Sequence, residues 1–451
     1  MNAVASSAAP PAGSPPLSRL LELAADAVQA VLAGRSLTEV LAACPSAARP
    51  GTQALAFAVL RRWGSASAAR QQLAPRTPPP AVEALLTTAL ALLWPSEAPP
   101  YPDHTLVDQA VTAARRKVPA AAGFINAVLR RFIRERAAVV EQAGHSVLGA
   151  WNHPAWWVER LRHDWPTHWQ ALLAQAQHHP PMVLRVNTRR LGVAEYHQRL
   201  ADAGIVARPA AGPGHEQALI LNQACPVDRL PGFAQGDVSV QDLSAQRAAS
   251  LLIGSGLPPG ARVLDACAAP GGKTAHLLEL APELNLVALD ADPARLARVD
   301  DTLRRLGLSG PTVRTRAADA RHVASWWDGE PFDAILLDAP CTASGIVRRH
   351  PDIRWLRRPD DVRALAAIQA ELLQALWPLL KPGGRLLYAT CSIFAAEGAE
   401  QIDAFLQRLR PEAAHQAADS PGHLLPLADN ASTDPEAPLA DGFFYALLHK
   451  P

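Results

Sequence analysis

The stretch VLDACAAPGGKTAHLLEL, residues 263–280, runs from an apolar strand through a glycine turn into a helix. That order constrains the fold more than any other feature. A strand buried on both faces and feeding a helix needs further strand–helix units to complete a parallel sheet. They follow: LNLVALDAD (284–292) leads into PARLARVDDTLRRLG (293–307), and FDAILLDAP (332–340) leads through a long loop into the helical RALAAIQAELLQALWPLL (363–380). GGRLLYATCS (383–392) supplies the next strand, the polar, Pro-rich segment 411–440 reads as a surface loop, and GFFYALLHK (442–450) as a closing strand. Residues 239–451 therefore predict a Rossmann-like α/β domain.

Upstream the pattern changes twice. Residues 18–148 carry apolar residues at helical spacing, as in SRLLELAADAVQAVLAG, with a helix stop at Gly34 and a capping box in SLTE (36–39). No strand signal interrupts them, so this is an all-α domain. Residues 149–238 mix a Trp-rich helix, WNHPAWWVERLRHDWP, with the strand-like PMVLRVNTRR, the helical VAEYHQRLADAGI and the strand-like ALILN, which predicts a small α+β module. The first 17 residues lack the charged start and apolar centre of a secretion signal and read as a disordered tail. No run is long and apolar enough to suggest a membrane span.

The formal net charge is +1, so a nucleic-acid partner would have to be met by local basic patches. The five cysteines are scattered and include no C-x-x-C pair. That argues against a disulfide framework or a metal site and suits a reducing cytoplasm.

The ending Gly-Gly-Lys-Thr invites an ATP-binding reading, but a phosphate loop has the form G-x-x-x-x-G-K-[ST], and its first glycine position is Cys267 here. Pro270 also removes a backbone donor such a cradle would use. A nucleoside without a phosphate chain fits better. Asp290 ends the second strand, where an acid holds ribose hydroxyls, and Asp319 follows the next strand, where a side chain meets the adenine edge. S-adenosylmethionine answers that description.

Cys341 in LLDAPCTASG and Cys391 in LLYATCSIF each follow an apolar strand, so both face the sheet edge that carries the glycine loop. The chemistry that wants thiols there is methylation of a pyrimidine carbon. A thiolate adding to C6 turns the ring into an enamine whose C5 can attack a sulfonium methyl. Asp338, close before Cys341, suits the acid that hydrogen-bonds N3 and the amino group. Spacing leaves open which cysteine is the nucleophile.

DACAAPGGKT, LDAPCTASG and YATCS together resemble the signature motifs of the Sun/Fmu family of RNA cytosine-5 methyltransferases, and SVQDLSAQ, RRHPDIRWLRR, GFFYA, PPMVLRVN and NAVLRR extend the resemblance over nearly the whole chain, from about residue 18. The resemblance implies a NusB-like RNA-binding domain in front, a small RNA-binding module in the middle, and a class I methyltransferase domain at the C-terminus. It also implies 16S ribosomal RNA as partner; a monomer is expected, and, from the cysteine spacing, no metal. Carried over by position, Cys267, Ala268, Ala269, Pro270, Gly271, Gly272 and Lys273 would line the methyl donor. Asp290 would bind its ribose, Asp319 its adenine side, and Asp338 would lie between donor and base. Cys391 would be the nucleophile and Cys341 would assist release.

Two basic runs are candidate phosphate contacts. Residues 115–136 include Arg130 and Arg131, and residues 348–358 include Arg348, Arg349 and Arg354. Substrate access requires the cytosine to leave its stack, so a single-stranded or loop cytosine is expected. The competing reading is an RNA-binding, antitermination-like protein with a vestigial methyltransferase domain; the complete motif set argues against it.

Overall fold

The structure, a computed structural model, describes residues 15–96, 99–254, 256–410, 413–427 and 440–451. Most of the expected N-terminal tail, and part of the expected 411–440 loop, lie outside the described residues. The chain divides into two compact units: one runs to Gln177 and takes in His350–Arg357, and the other holds His178–Arg349 and Arg358–Pro451.

The first unit is helical throughout its described residues. The helix Leu17–Leu32 is stopped by Gly34 at φ +97°, and Ser36 then caps Leu37–Ala42 by accepting from the Glu39 amide. Arg49–Leu73, Pro80–Leu92, Asp103–Lys117 and Ala122–Arg134 complete the core, in which Leu21, Val28, Leu60, Leu85 and Phe132 are fully buried. The Trp-rich stretch continues this unit as the helices Ala155–Asp164 and Trp169–Gln175. Thus the middle segment is divided: its helical start packs with the first unit and its strands with the second.

His350–Arg357 is also part of the helical core. Asp352 accepts from the Leu37 amide (3.2 Å), and the Trp355 indole N–H donates to the Leu60 carbonyl (2.9 Å). Arg354 is fully buried and donates to the Ala176 carbonyl (2.8 Å) and to Gln177 Oε1 (3.2 Å). Burial, with Arg61 nearby, lowers its pKa to about 9.

The second unit contains two sheets. The smaller comprises β1 (Met182–Val186), β2 (Ala207–Pro209), β3 (Ala218–Leu221) and β4 (Val238–Val240) in the order β2-β3-β1-β4, antiparallel throughout. The larger comprises β5 (Arg262–Asp265), β6 (Asn285–Asp290), β7 (Val313–Ala317), β8 (Phe332–Asp338), β9 (Leu380–Thr390), β10 (His415–Gln416), β11 (Gly422–Leu424) and β12 (Phe443–His449). Its order is β10-β12-β9-β8-β5-β6-β7, with β11 on β12. β5 to β9 are parallel and β12 is antiparallel to β9. The strand order reverses between β5 and β8, and in such sheets ligands bind at the carboxyl ends beside that reversal.

Arg185 of β1 ties the smaller sheet to the helix Gly272–Leu280, which follows the glycine loop. Its side chain is fully buried, grips both Glu279 carboxylate oxygens at 2.9 Å, and donates to the Gly272 carbonyl (2.9 Å) and to Gln241 Oε1. Removing one partner of such a pair strands a buried charge. Arg185→Leu is therefore expected to destabilise the second unit by about 3–5 kcal/mol. The Arg185→Leu/Glu279→Leu double variant should recover much of that loss, as read from denaturant midpoints.

Candidate active site

The loop after β5 consumes its own backbone donors. The Ala268 amide donates to the Leu289 carbonyl (2.7 Å), Gly271 to the Ala268 carbonyl (2.7 Å), and Ala269 to Asp290 Oδ2 (3.2 Å), while Pro270 has no N–H. Gly271 takes φ +96°, and a Cβ there would lie 3.0 Å from Val299 Cα, so the turn and its close packing both require glycine. The groups a triphosphate would recruit are also engaged. Lys273 Nζ sits 2.5 Å from Asp338 Oδ2, and the Thr274 hydroxyl donates to Asp265 Oδ2 (2.6 Å). The loop shares only its Gly-Lys-Thr ending with a phosphate cradle, and its hydrogen bonding is that of something else.

Asp290, at the end of β6, is 4% exposed and accepts from Ala269 on one oxygen and from Asp292 (3.0 Å) on the other. A carboxylate oxygen accepts more than one hydrogen bond, so capacity remains for a pair of hydroxyls. Cys267 lies among Asp338, Asp265 and Asp290; burial first, and then those carboxylates, push its thiol far up, which makes it a packed neutral group. Asp319 follows β7 but its carboxylate is taken by Arg321 at 2.7 Å, whose hydrogen bonds hold it below the usual carboxylate range.

Beyond β8 and β9 the structure brings the remaining candidates together. Cys341 Sγ and Cys391 Sγ are 3.5 Å apart, and both residues are half-buried. The hydrogen bond to Cys391, and burial, push the Cys341 thiol well above its ordinary value. Burial acts to lower the Lys273 pKa, but Asp338 outweighs it, aided by Cys391, and the ammonium stays charged 5.1 Å from the Phe443 ring.

A buried acid that sequence reasoning passed over holds this arrangement in place. Glu397 is fully buried, and its carboxylate accepts from the Thr342 amide (2.8 Å), the Thr342 hydroxyl, the Ser392 hydroxyl (2.6 Å) and Gln369 Nε2 (3.3 Å). Thr342 and Ser392 are the residues after the two cysteines, so one carboxylate clamps both loops. The Gly345 amide also donates to the Cys391 carbonyl (2.9 Å). A Cβ on Gly345 would lie 2.0 Å from the Gly442 carbonyl oxygen, which leaves that loop no room to shift. Glu397 stands in SIFAAEGAEQI, where an acid near a helix start reads as solvated; its link to Thr342 spans 55 residues and leaves no local signal.

The second basic run requires correction as a phosphate-facing patch. Arg348 is 3% exposed and bound to Asp441 (2.5 Å), Arg349 bonds Asp441 and Asp242 (2.7 Å), and Arg354 is buried in the helical unit. Their charge answers internal carboxylates and carbonyls, because a buried guanidinium needs partners. In the first run Arg131 pairs with Glu135 (2.9 Å) and Arg116 with Glu22 (2.8 Å). Arg115, Arg130 and Arg134 are exposed and have no carboxylate partner among the described residues.

Comparison with known proteins agrees with this geometry. Residues 257–449 match the family model for 16S rRNA methyltransferase RsmB/F, residues 153–228 the RsmF/B-like ferredoxin-like domain, and residues 18–134 the NusB family. The ribosomal RNA small subunit methyltransferase B of Xanthomonas campestris pv. campestris is 46% identical over 92% of this chain and 93% of its own length. The chain belongs to the 16S rRNA methyltransferase RsmB/F family. The Vibrio cholerae protein of the same name is 42% identical, over 94% of this chain and 95% of its own. The crystal structure of PH0851 superposes with a TM-score of 0.74 at 24% identity, covering 97% of this chain and 99% of that one. NSun6 from Pyrococcus horikoshii with SFG gives 0.56 at 18% identity, over 66% and 98%. Both likenesses speak for the fold.

Within this RsmB/F-family site, Asp265 carries a testable charge state. It is fully buried, and burial first, with Asp338 adding to it, raises its pKa to about 7 against the Thr274 hydrogen bond. The folded protein thus binds this proton more tightly than the unfolded chain, so its contribution to stability is present at low pH and is lost as pH rises through about 7. Asp265→Asn removes that dependence. Its stability relative to wild type should climb by up to about 1.4 kcal/mol per pH unit between the two pKa values, as read from denaturation midpoints across pH.

Proposed function

We propose that this chain transfers a methyl group from S-adenosylmethionine to C5 of a cytosine in 16S ribosomal RNA through a covalent cysteine–C6 adduct. The observation that carries the reading is the pair of thiols 3.5 Å apart beside a charged lysine–aspartate pair, at the carboxyl edge of a parallel sheet. The names of the relatives support the RNA substrate.

The donor set fits the methyl donor. Asp290 retains acceptor capacity for ribose hydroxyls, the turn before Gly272 has its own backbone donors engaged, and Asp319, whose carboxylate Arg321 holds, would stand on the adenine side. When bound, S-adenosylmethionine supplies an electrophilic methyl group on a sulfonium. Cys391 adds to C6, which gives C5 the electron density it lacks. Asp338 accepts from the exocyclic amino group, and the Lys273 ammonium stabilises the charge that develops on the ring. A base then takes the C5 proton, C5=C6 re-forms and the Cys391–C6 bond breaks, with Cys391 leaving as a thiolate that the neighbouring Cys341 thiol hydrogen-bonds.

The decisive experiment is methyl transfer from labelled S-adenosylmethionine into unmethylated, protein-free 16S rRNA. Cys391→Ala should abolish 5-methylcytosine formation without trapping RNA, while Cys341→Ala should accumulate a denaturant-resistant protein–RNA adduct. The reverse pattern would exchange the two roles.

The helical unit is proposed to grip flanking RNA through Arg115, Arg130 and Arg134, with Arg131 beside them. Arg130→Glu/Arg134→Glu should weaken RNA binding on any sequence and lower the salt slope of log K by about 1 for each lost phosphate contact. An unchanged slope in a filter-binding titration would remove this surface from the interface.

A further inference from the structure

We propose that Cys341 and Cys391 form an oxidisable dithiol, which a hydroperoxide closes to an intramolecular disulfide and an external dithiol reopens. The disulfide needs only the two sulfurs. Its consequence, reversible loss of methyl transfer, rests on the cytosine reading above.

The two Sγ atoms are 3.5 Å apart. A disulfide needs about 2.05 Å, so closure asks about 1.5 Å of approach, shared between two side chains. The backbone on either side is already fixed. The Ala339 amide donates to the Ala389 carbonyl (2.9 Å) and the Gly345 amide to the Cys391 carbonyl (2.9 Å), while Glu397 holds Thr342 and Ser392. Each thiol therefore meets the other at a high effective concentration whether or not substrate is present. Neither residue is sealed from solvent. No other pair of cysteine sulfurs among the described residues lies within hydrogen-bond reach; Cys44, for instance, donates to the Thr52 hydroxyl.

The environment also divides the labour. Attack on a peroxide is made by an anionic sulfur, and the Cys341 thiol is held neutral by burial and by its hydrogen bond to Cys391, which leaves the attack to Cys391. The Cys391 thiolate takes one oxygen from the hydroperoxide. The O–O bond breaks, the sulfur is oxidised to a sulfenic acid, and the peroxide is reduced to water or an alcohol. Cys341 then attacks the sulfenyl sulfur: the S–S bond forms, the S–O bond breaks, and hydroxide leaves with the Cys341 proton as water. A dithiol reductant reverses the closure by exchange and is itself oxidised to a disulfide. While the bond is closed, neither sulfur can add to C6. The fast second step also shields Cys391 from irreversible over-oxidation.

The test uses the full-length, reduced protein with about one equivalent of hydrogen peroxide, followed by thiol alkylation, peptide mapping by mass spectrometry and the methyl-transfer assay. The expected result is a linked Cys341–Cys391 peptide lacking two hydrogens, with methyl transfer reduced at least about tenfold and restored by dithiothreitol. A Cys44→Ser/Cys225→Ser variant should respond identically. Cys341→Ser should instead leave a sulfenic acid on Cys391 that dimedone captures, with no linked peptide. The proposal is overturned by a map without the linked peptide, by linkage to a different cysteine or a second chain, or by a linked protein that still methylates. If the reduced protein methylates no cytosine, the functional reading fails, and the peptide map alone decides the disulfide.

Discussion

The parallel ladder between β8 and β9 ends at Asp338 and Ala389, and beyond it two loops leave the sheet with a thiol on each. Nothing in the ladder obliges those loops to stay together. The Glu397 carboxylate does, because it takes donors from both loops and from Gln369 at once. Burying a carboxylate costs several kcal/mol unless its lone pairs are filled, and here the filling groups are the loop residues themselves. Burial of the acid and closure of the loops are thus one event. Opening either loop would leave a buried acceptor unsatisfied, so the sulfurs are positioned by the fold before any substrate arrives. Tyr388 and Thr390 extend the clamp by donating to the Glu397 carbonyl (2.9 and 3.2 Å), which anchors it to β9.

Arginine serves a similar internal purpose elsewhere in the second unit. Arg185 joins the smaller sheet to the helix after the glycine loop, and Arg348 and Arg349 join the loop after Cys341 to Asp242 and to Asp441, just before β12. Guanidinium suits these places because its planar fork satisfies a carboxylate and a carbonyl in a fixed geometry. Several of the basic residues that would suggest an RNA surface are structural ties, whereas Arg115, Arg130 and Arg134 of the helical unit are exposed.

Much of this was legible in the sequence. Strands buried on both faces read as continuous apolar runs, so β5, β6, β8 and β9 were evident, and the motif residues at their carboxyl ends came together as their positions implied. β2, β4, β10 and β11 are only two or three residues long and leave no periodic signal. Glu397 and Arg185 were invisible for another reason: their partners lie 55 and 94 residues away, and pairing at that range has no pattern. The arginines of residues 348–358 misled because a count of charges says nothing about where the carboxylates fall once the chain is folded. The tryptophan-rich stretch was legible as helix but not as belonging to the unit before it, since an apolar helix face does not declare which core it covers.

The short excursion at His350–Arg357 gives the chain an unusual thread. The polypeptide passes from the helical unit to the second unit after Gln177, returns at His350, and leaves again after Arg357. Ordinary tandem domains are joined by one linker and can be separated by one cut. Here no single cut divides the protein cleanly. A fragment starting at His178 would carry Trp355 and Arg354 without the Leu60 and Ala176 carbonyls they bond, and a fragment ending at Gln177 would leave the Leu37 amide without Asp352. The segment that completes the helical core is thus encoded between Cys341 and the helix Pro359–Leu376, within the stretch of sequence that matches the methyltransferase family model.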